Sequence, residues 1–104
     1  MSYKLILHPS VYKDLNKLSK AQEVLIFKQF KKIVISPELG ELLGNKAGYN
    51  LSGCRKMYAD KKKIRIVYRI VDDEIVVEVI VIGKREDMKV YAEADERLRV
   101  EERR

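Results

Sequence analysis

The stretch CRKMYADKKKIRIVYRIVDDEIVVEVIVI, residues 54–82, decides the fold. It breaks into three β-rich runs, Cys54 to Ala59, Ile64 to Val71 and Glu74 to Ile82, separated by Asp60-Lys61-Lys62 and Asp72-Asp73. Spacers this short admit a turn but no crossover, so the runs are expected to pair as consecutive antiparallel hairpins. In the middle run Ile64, Ile66, Tyr68 and Ile70 alternate with Arg65, Val67, Arg69 and Val71. Successive strand side chains point to opposite faces, so one face is greasy and the other presents arginines. From Ile75 to Ile82 the last run is apolar on both faces apart from Glu78, which places it toward the centre of the sheet.

On the N-terminal side, Tyr3 to Leu7 is a short β-prone run stopped by Pro9. Val11, Leu15 and Leu18 then fall at helical spacing, and Ser19 followed by Gln22 fits a capping box that opens a second helix. Ile26, Phe27, Phe30, Ile33 and Val34 give that helix a broad apolar face, and Ser36-Pro37 ends it. The two helices form a hairpin able to cover one side of the sheet. Residues 38–53 hold four glycines and no sustained period, which reads as a connecting loop with a helical turn near Glu41 to Leu43. Beyond the last strand, Gly83-Lys84-Arg85-Glu86 breaks the β pattern, and Tyr91, Ala94 and Leu98 mark a C-terminal helix over about 87–102. The expected fold is α+β: an N-terminal strand and helical hairpin packed on an antiparallel meander, with a C-terminal helix. At 104 residues, one domain spanning 1–104 is expected.

Charge is concentrated where the fold is decided. Residues 55–69 carry seven cations against one anion, Asp60, a surplus equal to the whole chain's formal charge of +6. All eight arginines lie in the second half, and Arg is the side chain suited to bidentate phosphate contact. Clustering of this kind points to a polyanionic partner. The single cysteine, Cys54, excludes an intramolecular disulfide framework and suits a reducing compartment. No apolar run reaches the roughly 20 residues of a membrane helix, and the first residues lack signal-peptide architecture, so a cytoplasmic location is expected.

The residue types present limit the chemistry. His8 is the only histidine, so a two-histidine ribonuclease site or a histidine-pair metal site cannot be built, and Cys54 reads as a packing residue. No phosphate-cradling glycine loop precedes a helix. No metal and no cofactor are expected. What remains is Lys, Arg and Tyr. RNA carries its own nucleophile, the 2′-hydroxyl, and is cleaved when that hydroxyl is aligned with the adjacent phosphorus and the developing charge is neutralised. Lys56, Arg65 and Arg85 come from three neighbouring strands or their ends, and Tyr91 returns over them from the last helix, as a proton acceptor whose pKa adjacent cations would lower or as a stacking platform.

With these residues the sequence becomes recognisable. Leu51-Ser52-Gly53-Cys54-Arg55-Lys56, then Ile64 to Ile70, then Val81-Ile82-Gly83-Lys84-Arg85-Glu86-Asp87 with Val90, Tyr91 and Ala94, resembles the RelE/ParE superfamily of bacterial and archaeal toxins over essentially the whole chain. The Gly-Lys-Arg-Glu run followed by a tyrosine points to the RelE side, the ribosome-dependent messenger ribonucleases, more than to the gyrase-poisoning ParE side. The resemblance implies a toxin of a type II toxin–antitoxin system that cleaves messenger RNA by in-line attack of the 2′-hydroxyl, with Lys56, Arg65, Arg85 and Tyr91 as catalytic residues. It implies as partners the ribosome, messenger RNA and a cognate antitoxin, whose complex accounts for oligomerisation. Arg55, Tyr58, Lys61, Lys62, Lys63, Arg69 and Lys84 are the expected RNA-gripping residues. At Tyr58 the family pattern has a second lysine, which leaves the division of acid and base roles open. A gyrase inhibitor without nuclease activity, or a catalytically decayed member that binds only RNA or antitoxin, are the alternatives.

Overall fold

The computed structural model describes residues 3–71, 76–84 and 89–102. Their elements are β1 (Lys4–Leu7), α1 (Val11–Asn16), α2 (Lys20–Ile35), a single 3-10 turn (Pro37–Leu39), β2 (Glu41–Lys46), β3 (Tyr49–Ala59), β4 (Ile64–Val71), β5 (Val76–Lys84) and α3 (Lys89–Glu102). The strands form one sheet in the order β1-β5-β4-β3-β2, in which β2 to β5 are antiparallel neighbours and β1 runs parallel to β5. The α+β architecture and the helical pair agree with the sequence reading, and β5 lies inside the sheet between β1 and β4.

The helix pair α1 and α2 covers one face, burying Val11, Leu15, Ile26, Phe30 and Ile33 against Ile64, Ile66, Tyr68, Val77 and Val79. Helix α3 covers the other, burying Val90, Tyr91 and Ala94 against Leu51, Cys54, Val67, Ile80 and Val81. The ladder between β4 and β5 steps from Val67↔Val81 to Tyr68↔Val79, so Ile80 is the extra residue of a β-bulge. The bulge turns both Ile80 and Val81 toward α3, which is how β5 comes to read as apolar on both faces. Gly83 lies directly under α3, and a Cβ there would meet the Val90 side chain.

Residues 38–53 are not a loop. They hold the 3-10 turn, all of β2 and the first residues of β3, joined by a two-residue turn in which Ala47 and Gly48 have φ of 53° and 83°. Both left-handed residues suit the twist of a tight hairpin. The sequence Glu-Leu-Leu-Gly-Asn-Lys of β2 has no β-branched residue, so its strand state comes from pairing with β3 rather than from propensity. Entry to β2 is pinned from below by Tyr68, whose buried hydroxyl donates to the Pro37 carbonyl (2.7 Å) and accepts from the Gly40 N–H (2.9 Å). Ser19 and Gln22 form the expected capping box of α2. Two glutamines of that helix reach the β3–β4 hairpin: Gln22 Nε2 donates to Asp60 Oδ2 (3.1 Å) and Gln29 Nε2 to the Tyr58 carbonyl (2.6 Å).

One ion pair joins the layers. β1 ends at Leu7, so the outer edge of β5 beyond Val79 has no strand partner, and the bulge adds to the groups that need one. Arg97 of α3 grips Asp14 of α1 through both terminal nitrogens (2.8 and 3.0 Å), while Asp14 Oδ2 accepts from the Ile82 N–H (3.0 Å) and Arg97 Nη1 donates to the Ile80 carbonyl (2.8 Å). The Asp14 side chain is 4% exposed and that of Arg97 15%. Breaking such a pair strands a buried charge, so Arg97→Ala is expected to destabilise the fold by about 3–5 kcal/mol. Urea unfolding followed by circular dichroism will show this as a lowered midpoint, and a change within roughly 0.5 kcal/mol, the range of an ordinary surface substitution, would contradict the assignment.

Candidate active site

Register decides which cations meet. Tyr58 pairs with Arg65, Lys56 with Val67, and Arg65 with Gly83. Val67 and the Val90 contact of Gly83 both lie on the α3 side, so Lys56, Tyr58 and Arg65 share the face that α3 covers. The Lys56 ammonium donates to the Tyr58 hydroxyl (3.0 Å) and stands 5.1 Å from the centre of the Tyr58 ring, with the exposed Glu41 carboxylate 3.6 Å away. The Arg65 guanidinium carbon sits 4.6 Å from the Tyr91 ring centre and 5.8 Å from that of Tyr58. Contacts of this kind contribute roughly 0.5–2 kcal/mol each by attraction of the cation to the ring face.

The arginine face of β4 is therefore not open to solvent as its alternation suggests. Arg65 is only 6% exposed, yet its Nε and Nη1 have no hydrogen-bond partner among the described residues, and neither has the buried Tyr91 hydroxyl. Arg65 is thus a desolvated cation with donors unspent among the described residues. Such a group is suited to an oxyanion with planar or tetrahedral oxygens.

Electrostatics also single out Tyr58. The hydrogen bond from Lys56, the largest influence, holds its hydroxyl down at about 8 against the opposing effect of burial, with the Arg65 hydrogen bond and the charges of both cations adding to the lowering. The same bond raises Lys56 above its ordinary value. Cys54, by contrast, is buried in the α3 cluster, and burial pushes its thiol up, which keeps it protonated and suits packing rather than attack. His8 Nδ1 accepts from the Ser10 N–H (3.1 Å) at the start of α1, a structural task.

The remaining residues singled out in the sequence divide by place. Lys61, Lys62 and Lys63 are exposed at the β3–β4 tip, adjoining the site. Asp60, Lys61 and Lys62 all have left-handed φ (51°, 54° and 69°), an uncommon run for residues with a Cβ, held by the Lys63 N–H to the Asp60 carbonyl and by Gln22. Lys84 is exposed at the end of β5 and pairs with Ile64, on the face turned to the helical hairpin. Arg55 pairs with Tyr68 on that same opposite face, and its Nη1 is committed to the carbonyls of Glu38 (3.1 Å) and Gly40 (2.8 Å). Arg69 lies four residues along β4 from Arg65 and is ion-paired with Glu78 at 2.8 Å. Neither Arg55 nor Arg69 is brought to the site, and both hold the fold together. Arg85 lies outside the described residues. What the residue pattern could not foresee is the Lys56–Tyr58 pair, although spacing of two along a strand is the signal for it.

A family model described as "ParE-like toxin of type II bacterial toxin-antitoxin system" matches residues 5–94. The chain belongs to this toxin family. Among its relatives, it is 31% identical over 101 residues to a putative RelE-like toxin protein of Escherichia coli, covering 95% of this chain and all of that one. It is likewise 31% identical over 100 residues to the mRNA interferase toxin RelE of E. coli K12, covering 94% and 99% of the two chains. Among solved structures, a mutant of the E. coli toxin RelE in the free state superposes with a TM-score of 0.77 at 30% identity, over 94% and 99% of the chains. The toxin from the intact E. coli RelBE toxin–antitoxin complex gives 0.67 at 27% identity, over 80% and 96%.

If the Lys56 ammonium sets the acidity of Tyr58, ultraviolet titration of tyrosinate will show one of the six tyrosines ionising near 8, ahead of the ordinary value near 10. That early step will vanish in Tyr58→Phe and move up toward 10 in Lys56→Met. An early step that survives Tyr58→Phe would assign the shift to another tyrosine.

Proposed function

We propose that this toxin is a ribosome-dependent messenger endoribonuclease, acting by in-line attack of a 2′-hydroxyl on the neighbouring phosphate and thereby arresting translation. The observation that carries the reading is the Arg65 guanidinium, buried on the α3 face with two donors unspent among the described residues and with an ammonium and a phenol beside it. Similarity over almost the full length to proteins named mRNA interferase RelE supports it. The reaction needs no group that this face lacks. The guanidinium binds a non-bridging phosphate oxygen and stabilises the charge of the pentacoordinate state, where the absence of competing water makes each hydrogen bond count for more. Lys56 adds positive charge and a mobile proton. Tyr91, stacked on Arg65, holds the guanidinium plane in place, and Arg85, directly after Lys84, is assigned a second phosphate contact on the strength of the sequence pattern.

Lys61 to Lys63 form a basic tip next to this group, suited to contact with a phosphate backbone, which would steer the protein to ribosomal RNA with a strong dependence on salt. The partner that silences the toxin is an antitoxin protein, by analogy with toxins of the family solved together with RelB. A gyrase-directed reading has no comparable feature behind it, since the buried cation is shaped for an oxyanion rather than for a protein surface.

Purified protein incubated with ribosomes programmed with a defined message is expected to cut that message. Arg65→Gln is expected to lower the single-turnover rate by about 100- to 1,000-fold, the effect of losing one donor to a developing oxyanion. Inhibition of purified gyrase together with no cleavage of the message would overturn the nuclease reading.

A further inference from the structure

We infer that Tyr58 is the general base of the cleavage reaction and works as one unit with Lys56, which serves as the general acid. The inference rests on the nuclease reading above and deepens it. Two phenols lie at the site, and they differ in what their oxygens can reach. Tyr91 is 1% exposed, with its ring packed on Arg65 and its hydroxyl among buried atoms. Tyr58 is half-buried on the same face, paired across the ladder with Arg65, and its hydroxyl is in direct contact with an ammonium. A base must come within hydrogen-bond reach of the proton it removes, and of the two oxygens only that of Tyr58 lies at a surface that a nucleotide can approach.

Among the described residues, the groups facing Tyr58 are two cations that favour its anion, a neutral ring and one carboxylate that opposes it, with burial opposing it as well. They are Lys56 on its own strand, Arg65 on β4, the Tyr91 ring on α3 and, behind Lys56, the Glu41 carboxylate on β2. Two cations against one exposed carboxylate make phenolate accessible near neutrality. With the hydroxyl at about 8, about a tenth of the molecules carry phenolate at pH 7.

The step balances within the pair. The phenolate takes the 2′-hydroxyl proton as the 2′-oxygen forms its bond to phosphorus. The bond from phosphorus to the 5′-oxygen breaks, and that oxygen leaves with a proton from the Lys56 ammonium. The products are a 2′,3′-cyclic phosphate and a 5′-hydroxyl. Tyr58 is then a neutral phenol and Lys56 a neutral amine, and one proton passing along their 3.0 Å hydrogen bond restores phenolate and ammonium. Neither metal nor water enters the proton balance.

The test is the pH dependence of single-turnover cleavage of a ribosome-bound message between pH 6 and 9 for wild type, Tyr58→Phe and Tyr91→Phe. Wild type is expected to gain about tenfold per pH unit up to an inflection near 8 and then level off, because the base works only when deprotonated. Tyr58→Phe keeps the ring, and with it the packing near Arg65. It is expected to lose the inflection and to fall by about 100-fold or more on the plateau. Tyr91→Phe is expected to keep the inflection, whatever its rate. An inflection that persists in Tyr58→Phe, or that disappears in Tyr91→Phe, overturns the proposal while leaving the nuclease reading intact. No cleavage by wild type at any pH overturns both.

Discussion

The arrangement of this protein turns on the ion pair between Asp14 and Arg97. It ties the first helix to the last across the end of β5, and in doing so answers the backbone groups that the short β1 and the bulge at Ile80 leave without a ladder. A buried pair of this kind contributes little net stability compared with apolar residues of the same shape, but leaving either charge without the other is costly, which holds the two helices together. Here it fixes where α3 lies on the sheet. Tyr91 lies on the same helix, about 1.7 turns before Arg97, so the same contact helps to set the height of the Tyr91 ring over Arg65.

The chemistry on the α3 face follows from a second constraint, the alternation of side chains along paired strands. Lys56 and Tyr58 share a face because they are two residues apart, and Tyr58 meets Arg65 because the β3–β4 turn sets that register. The turn itself is an improbable one, with Asp60, Lys61 and Lys62 all left-handed, and α2 steadies it through Gln22, a residue already engaged in capping its own helix. A basic tip, a buried guanidinium and an ammonium–phenol pair are thus placed at one end of the sheet by backbone geometry.

Much of this was legible in the sequence. The period-two run from Ile64 to Val71, the capping box at Ser19 and the doubly apolar β5 each gave a signal strong enough to fix an element and its side of the sheet. Strand β2 left no such trace, because Glu41 to Lys46 lacks β-branched residues and its conformation is imposed by β3. The resemblance to the toxin family holds over residues 5–94, and the fold brings Lys56, Arg65 and Tyr91 to one face, while Arg85, the fourth residue picked out along the chain, lies outside the described residues. Charge alone could not sort the arginines. Arg55 and Arg69 look in sequence like their neighbours, yet one caps the carbonyls of a 3-10 turn and the other meets Glu78, and only the pairing register separates them from Arg65.

The central claim is that cations and a phenol on the α3 face cleave RNA through its own 2′-hydroxyl. The ends left on the message test this most directly. Fragments recovered from programmed ribosomes after incubation with the wild-type protein should carry a 2′,3′-cyclic phosphate upstream of the cut and a 5′-hydroxyl downstream, the latter detectable because it accepts a label from polynucleotide kinase without prior dephosphorylation. Upstream fragments ending in a 3′-hydroxyl, with 5′-phosphates downstream, would mean that water and not the ribose attacks phosphorus, and would contradict the account.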